Sequence, residues 1–321
     1  MLLAVKAAIS LGLLGWLLVG VARREGMDAL AARATTIAAG PLLVAVGLHA
    51  LAVLAGVLRW RVLLDARGLG QPLPWLLRAF LVGRFFGAFT PSTTGLDGWR
   101  ALEVARRTGQ AGPSAAVLVV EKLVGLVGMA VVCVALTPLG ALAPLGPLVL
   151  PLTLAVAGVA VLGLALLGSP RALAALAGTA PGPLARPARR VAEALSSGPL
   201  GAGRLAVAVG LGVLSHLALS STFAASGAAL GLDVSTPRLV AVGNAIVVAV
   251  LVPVSIGGVG VREGVAASLL AAAGVSTSDA VLVALGSYLT GQVPALIGGL
   301  LLLAAPARGK SLATDGAPGA P

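Results

Sequence analysis

The residues able to do chemistry in this sequence gather at two breaks in an otherwise apolar chain. The first is Pro91-Ser92-Thr93-Thr94-Gly95-Leu96-Asp97-Gly98-Trp99-Arg100. The second is Pro253-Val254-Ser255-Ile256-Gly257-Gly258-Val259-Gly260-Val261-Arg262-Glu263-Gly264. Both read Pro-x-x-x-Gly-x-x-Gly-x-Arg. Pro91, Gly95, Gly98 and Arg100 align without a gap to Pro253, Gly257, Gly260 and Arg262. An arginine fork beside backbone amides that glycine leaves accessible can hold a phosphate. Gly258 widens the second break, and Arg84, inside the apolar run before the first, adds a third cation. A charge within the bilayer costs roughly 2.5–3.5 kcal/mol on insertion scales, so it is usually kept for a partner or a ligand. The bland alternatives are specific. Arg100 and Arg262 would pair with Asp97 or Glu103 and with Glu263 merely to close turns. Arg84 would snorkel to the headgroups, and two glycine-rich loops that only turn the chain would look similar. Glu121, about two turns into its apolar run, suits an ion pair with an arginine of an interrupted helix, or proton coupling.

Other chemistries lack their residues. His49 and His216 lie alone in apolar runs with no ligand spacing around them, which fits hydrogen bonds between helices better than a metal site. Asn244 and Gln292 have the same default. The one cysteine, Cys133, cannot form an intrachain disulfide. Gly258-x-Gly260 lacks the third glycine and the strand–helix setting of a dinucleotide fingerprint. No nucleophile, base and metal cluster appears, so neither metal nor cofactor is expected. Aromatic residues make up 3% of the chain, too few for base-stacking platforms, so nucleic acid is not an expected partner.

The elements that must position these residues are membrane helices. Of 321 residues, 58% are hydrophobic and 10% charged, in long continuous apolar runs rather than alternating ones. Spans are expected at 2–21, 41–58, 115–137, 148–168, 204–230 and 281–304. For 2–21 a signal peptide is the alternative. Arg59-Trp60-Arg61 reads as the interfacial end of the second span, and 62–74 as a loop. Three apolar stretches, 75–90, 239–252 and 264–274, are too short to cross comfortably, and they flank the two breaks. The 169–203 loop is basic and proline-broken, with a short surface helix at 188–196. Lys122 is expected to face away from Glu121 and snorkel. Gly298-Gly299 suits close helix packing. Residues 311–321 form a Gly/Ala/Pro tail expected to be disordered.

The net charge of +11 is carried mainly by arginines in the short connections, which the positive-inside rule explains. Placing those loops in the cytoplasm puts both termini, the 59–114 flanks and the 169–203 loop inside. The element at the first break then enters from the cytoplasm and that at the second from the opposite face. The expected fold class is therefore all-α: a polytopic helical membrane protein with two short interrupted, re-entrant elements in inverted-repeat arrangement. Residues 1–310 form a single transmembrane domain, with possible repeats at about 41–168 and 204–304. A rival topology makes the short helices full spans.

At the breaks the chain resembles a known family. Phe85 to Arg100 looks like the family's Pro-x-x-x-Gly-Gly-Asp-x-x-Arg element, and Glu121-Lys122-Leu123 resembles its intramembrane Glu-Arg-Leu. Pro253 to Gly264 is similar to its Gly-Gly-x-Gly-x-Arg-Glu-Gly element. The family is the lysylphosphatidylglycerol synthase transmembrane, or flippase-like, family. Leu96 departs from it where glycine is usual, and Lys122 stands where arginine is usual, losing the forked donor. The resemblance implies a lipid-accessible cavity in a membrane domain that moves or handles phospholipids or lipid-linked molecules. Bifunctional members carry a soluble aminoacyl-transferase domain, and this chain ends soon after its last expected span, so the resemblance implies the membrane part without synthase activity. The expectation is a flippase or transporter of phospholipids or polyprenyl-phosphate-linked lipids in the cell membrane, its partners anionic or phosphate-bearing lipids. The alternative is a non-transporting accessory or scaffold protein of envelope or lipid biosynthesis. An intramembrane enzyme is the weakest reading.

Overall fold

In a bilayer every backbone polar group must be satisfied within the chain, so apolar runs of Ala, Leu, Val and Gly fold as helices. The computed structural model describes residues 15, 19, 32–90, 94–142, 146–147, 149–166, 169–179, 182, 185–196, 200–251, 255 and 258–304. The expected first span at 2–21, apart from residues 15 and 19, and the tail at 311–321 lie outside the described residues, as do Pro91, Pro253 and Gly257.

The described helices follow one order twice. Helix α1 (Ala39–Asp65, 27 residues) is followed by two short ones, α2 (Leu73–Ala88, 16 residues) and α3 (Thr94–Thr108, 15 residues), and by long α4 (Ala111–Leu136, 26 residues). After α5 (Val149–Leu166), α6 (Pro170–Gly178) and α7 (Ala185–Ser196), the series recurs. It comprises α8 (Ala202–Ala229, 28 residues), α9 (Thr236–Ala249, 14 residues), α10 (Val261–Ala271, 11 residues) and α11 (Thr277–Leu303, 27 residues). The long helices α1, α4, α8 and α11 are long and apolar enough to cross a membrane. At about 1.5 Å per residue each exceeds the roughly 30 Å hydrocarbon core. Leu43, Val159, Leu296 and Leu300 stand exposed on them and on α5, as lipid contact requires. This is an integral membrane protein.

Contacts at the helix ends sort the bundle into two ends. At one, the Ala38 amide donates to the Ala229 carbonyl at 2.8 Å, and Arg33 bridges Asp279 at 2.7 Å. The start of α1, the end of α8 and the start of α11 therefore meet. At the other, the Arg67 guanidinium donates to the Ala194 carbonyl at 3.1 Å, and Gly112 abuts the Arg190 carbonyl. There the end of α1, the start of α4 and α7 meet. Two apolar clusters fill the interior. One gathers Trp60, Leu63, Leu76, Phe80, Val117 and Leu195, the other Cys133, Phe223, Val242, Ile246, Leu270 and Val283. Helix α2 lies against α11 at Gly298, where a Cβ would overlap the Leu81 carbonyl, so only glycine permits that approach.

Several expectations change. Helix α1 does not stop at Arg59-Trp60-Arg61 but runs on through Asp65. Trp60 is 1% exposed, not interfacial, because neighbouring helices cover it. The 169–203 loop holds two helices rather than one, and α7 buries Ala192, Ala194 and Leu195 in the first cluster instead of lying on the surface. Helix α10 spans 261–271, so Gly264 is inside it. Helix α5, at 18 residues, is shorter than the span expected at 148–168.

Candidate functional site

The first break prepares a buried charge network. Thr90 accepts the Gly95 amide on its side-chain oxygen at 2.9 Å, which holds the start of α3 against the end of α2. Three residues apart on α3, Asp97 and Arg100 share a face and bridge at 2.7 Å. The other side of the Arg100 fork meets Glu121 of α4, at 2.8 Å to Oε2 and 3.1 Å to Oε1. Arg59 of α1 donates to the same carboxylate at 3.2 Å, and Lys122 reaches Asp97 at 2.6 Å. The rings of Trp60 and Phe80 lie 5.0 and 4.8 Å from the Arg100 guanidinium. Arg100 is thus encased by carboxylates and aromatic faces and is 3% exposed. The ion pair expected of Glu121 forms, but with two arginines. Lys122 does not turn away to snorkel, because Asp97, reached across the α3–α4 contact, draws its ammonium in.

The second break builds something else. Gly260 caps α10 at φ 84°, a left-handed conformation that favours glycine. Glu263 turns back to accept the Gly260 amide at 2.6 Å on Oε2, a capping arrangement that uses one oxygen of this fully buried carboxylate. Arg262, at the start of α10, projects over the Tyr288 ring of α11 at 4.9 Å. Gly258, at φ 77°, lets its backbone pass beside that guanidinium: a Cβ there would lie 3.5 Å from Arg262 Nη2. Arg84, near the end of α2, donates from Nη2 to the Gly291 carbonyl of α11 at 3.0 Å. Arg84 and Arg262 are close enough to repel one another. No carboxylate bridges Arg84 among the described residues.

One cavity of about 410 Å³ joins the two regions. Arg84, Asp97, Arg100, Glu121, Gly258 and Arg262 line it, while Gly95, Gly98, Gly260 and Glu263 do not. Three of the four act on the backbone instead: Gly95 fits against the Phe86 carbonyl, and Gly260 and Glu263 form a cap. Gly98 sits on an open face of α3 with nothing close to it. Sequence reasoning missed three contributors to the wall, Arg59, Lys122 and Tyr288. For Arg59 the misleading signal was its place beside Arg61, which suggested a span end. His49 and His216 also line the cavity. His49 bonds across helices, with Nε2 3.0 Å from the Ser287 carbonyl, and Asn244 donates to the Met129 carbonyl at 3.4 Å. Among the described residues the wall carries five cationic side chains (Arg59, Arg84, Arg100, Lys122 and Arg262) against two carboxylates, Asp97 and Glu121. Its field favours an anion, and the positive end of the α10 dipole adds to it. Among the described residues no group of three or more His, Cys, Asp or Glu side chains gathers to hold a metal ion.

No curated protein and no solved structure matches the chain. A family model described as the lysylphosphatidylglycerol synthase TM region matches residues 3–299, nearly all of the sequence whose two breaks frame this basic cavity, and the chain belongs to that family.

Proposed function

We propose that the protein moves an anionic phospholipid or phosphate-linked lipid across the membrane, holding the phosphate headgroup between Arg84 and Arg262 while the chains stay in lipid. The observation that carries this reading is the convergence of two arginines from different short helices on one cavity within the apolar bundle. Like charges are kept together at such depth when an anion offsets them. The cavity volume falls within the roughly 300–1,000 Å³ range of small-molecule sites.

The two short-helix pairs would be re-entrant and inverted. Helices α2 and α3 begin and finish at the end of the bundle where Arg67 meets α7, because α1 arrives there and α4 departs from it. Helices α9 and α10 begin and finish at the other end, between α8 and α11. Their breaks would face each other across the cavity, as in transporters built from inverted repeats. The basic end, carrying α7 and the Arg106–Arg107 pair, would face the cytoplasm of a cell membrane.

Liposome reconstitution tests the function. Headgroup-labelled phosphatidylglycerol or polyprenyl phosphate should cross with the wild type, and Arg262→Ala should slow it at least about tenfold, the loss of one charge-assisted hydrogen bond. Unchanged movement in Arg262→Ala would refute the pocket; no movement of any lipid would favour the scaffold role. Topology is read from Gln110→Cys and Asp233→Cys in a Cys133→Ser background. Labelling of both from one side would overturn the inverted arrangement.

A further inference from the structure

We propose that the cavity holds a second oxyanion-binding station, formed by Arg59 of α1 and His216 of α8, through which the same phosphate-type headgroup passes. The inference rests on the reading of the cavity as a headgroup path.

Arg59 spends only part of its fork on Glu121. Nη2 donates to that carboxylate at 3.2 Å, but among the described residues Nε and Nη1, both buried, have no hydrogen-bond partner. Glu121 is already held by both contacts from Arg100, so Arg59 is the second cation on one carboxylate. The Nδ1 of His216 is likewise buried without a partner. The two side chains converge on α4, His216 through its other ring nitrogen. A Cβ on Gly125 would lie 3.6 Å from His216 Nε2 and 3.7 Å from Arg59 Nη1, so imidazole and guanidinium flank the same strip of α4. A Cβ on Gly212 would lie 3.5 Å from Arg59 Nη1, so side-chain-free surface surrounds the fork. Both Arg59 and His216 open on the cavity. A fork with unmet donors beside an imidazole is a recognition surface for a phosphate or carboxylate oxygen.

The station is separate from the Arg84–Arg262 position. His49 marks the latter: it feels the charge of both arginines, and a Cβ on Gly291, whose carbonyl holds Arg84, would lie 2.9 Å from its ring. Arg59 follows His49 by ten residues along α1, about 15 Å of helical rise. The two positions are therefore set apart along the axis of α1. Arg59 is also the nearer of the two to the end of α1, where Arg67 binds α7. The cavity therefore offers a headgroup two stops along one path.

The chain contains two histidines, one at each station, which makes the test direct. Full-length protein labelled with ¹⁵N-histidine is placed in phosphatidylcholine nanodiscs, with His49→Gln and His216→Gln used to assign the two imidazoles. Adding phosphatidylglycerol should shift both signals. Arg59→Gln should abolish the His216 shift and leave that of His49. Should Arg59→Gln not fold, Arg59→Lys keeps the charge beside Glu121, removes the fork, and should weaken the His216 response alone. A shift at His49 only overturns the second station and leaves the Arg84–Arg262 reading intact. A shift at His216 only supports the station and overturns that reading; no shift at either overturns both. Inorganic phosphate in phosphatidylcholine discs separates the sources. A His216 shift with it supports a station open to free oxyanion, and a shift with phosphatidylglycerol alone supports one reached only by a lipid-borne headgroup.

Discussion

The two breaks align residue for residue, yet their matched arginines hold different positions. Arg100 lies well inside α3, clamped by Asp97 and Glu121 and covered by Trp60 and Phe80. Arg262 lies at the start of α10, on the Tyr288 ring and beside Arg84. The backbone accounts for the difference. In the first break helix is present from Thr94, so Gly98 is an ordinary helical residue; in the second, residues 258–260 are still turns, and the left-handed φ of Gly260 launches α10 after them. A shared sequence pattern thus yields two cavity-lining arginines in different settings, one clamped by carboxylates and one stacked on an aromatic ring.

Substitutions can break this comparison or sharpen it. The largest effect should come from Arg100→Ala, which leaves buried Glu121 with Arg59 alone and Asp97 with Lys122. Breaking a buried pair in this way costs about 3–5 kcal/mol, so thermal unfolding in detergent should show a steep loss or no folded yield. Arg100→Gln with Glu121→Gln should recover much of it. Equal stability in Arg100→Ala would dissolve the distinction. Arg84→Gln should do the reverse, leaving unfolding within about 1 kcal/mol of wild type, as expected where repulsion with Arg262 is relieved, while lipid movement falls about tenfold or more. The aligned glycines give a finer contrast. Gly260→Ala should destabilise by about 1–2 kcal/mol, since a side chain must adopt the left-handed conformation. Gly98→Ala, on an open helical face, should instead stabilise by about 0.5–1 kcal/mol. Matching signs in the two unfolding curves would mean the breaks share one backbone after all. Smallest is Asp279→Asn at the bundle end opposite α7. Its bridge to the solvent-exposed Arg33 should shift the unfolding curve least of these, and less still at high salt.

Much of the helical plan was legible in the sequence because the bilayer imposes it. Long apolar runs gave α4, α8 and α11 within a few residues, and Pro with Gly marked the short elements between them. The errors share a cause. Arg59-Trp60-Arg61 reads as a boundary because charge and tryptophan usually sit at interfaces, but Glu121 and Arg100 bring Arg59 and Trp60 inside. Lys122 reads as snorkelling because its acid, Asp97, belongs to another helix. Pairing across helices has no local signature.

By itself the sequence determined the medium and the breaks. An apolar chain must satisfy its backbone in helices, and proline and glycine must interrupt them. It also determined that few charges would enter the membrane. Which of those charges are consumed and which face a cavity was decided only by tertiary structure. The acid that clamps Arg100 comes from α4, and the ring beneath Arg262 comes from α11. Electrostatic energy depends on distance in space, and folding alone sets that distance.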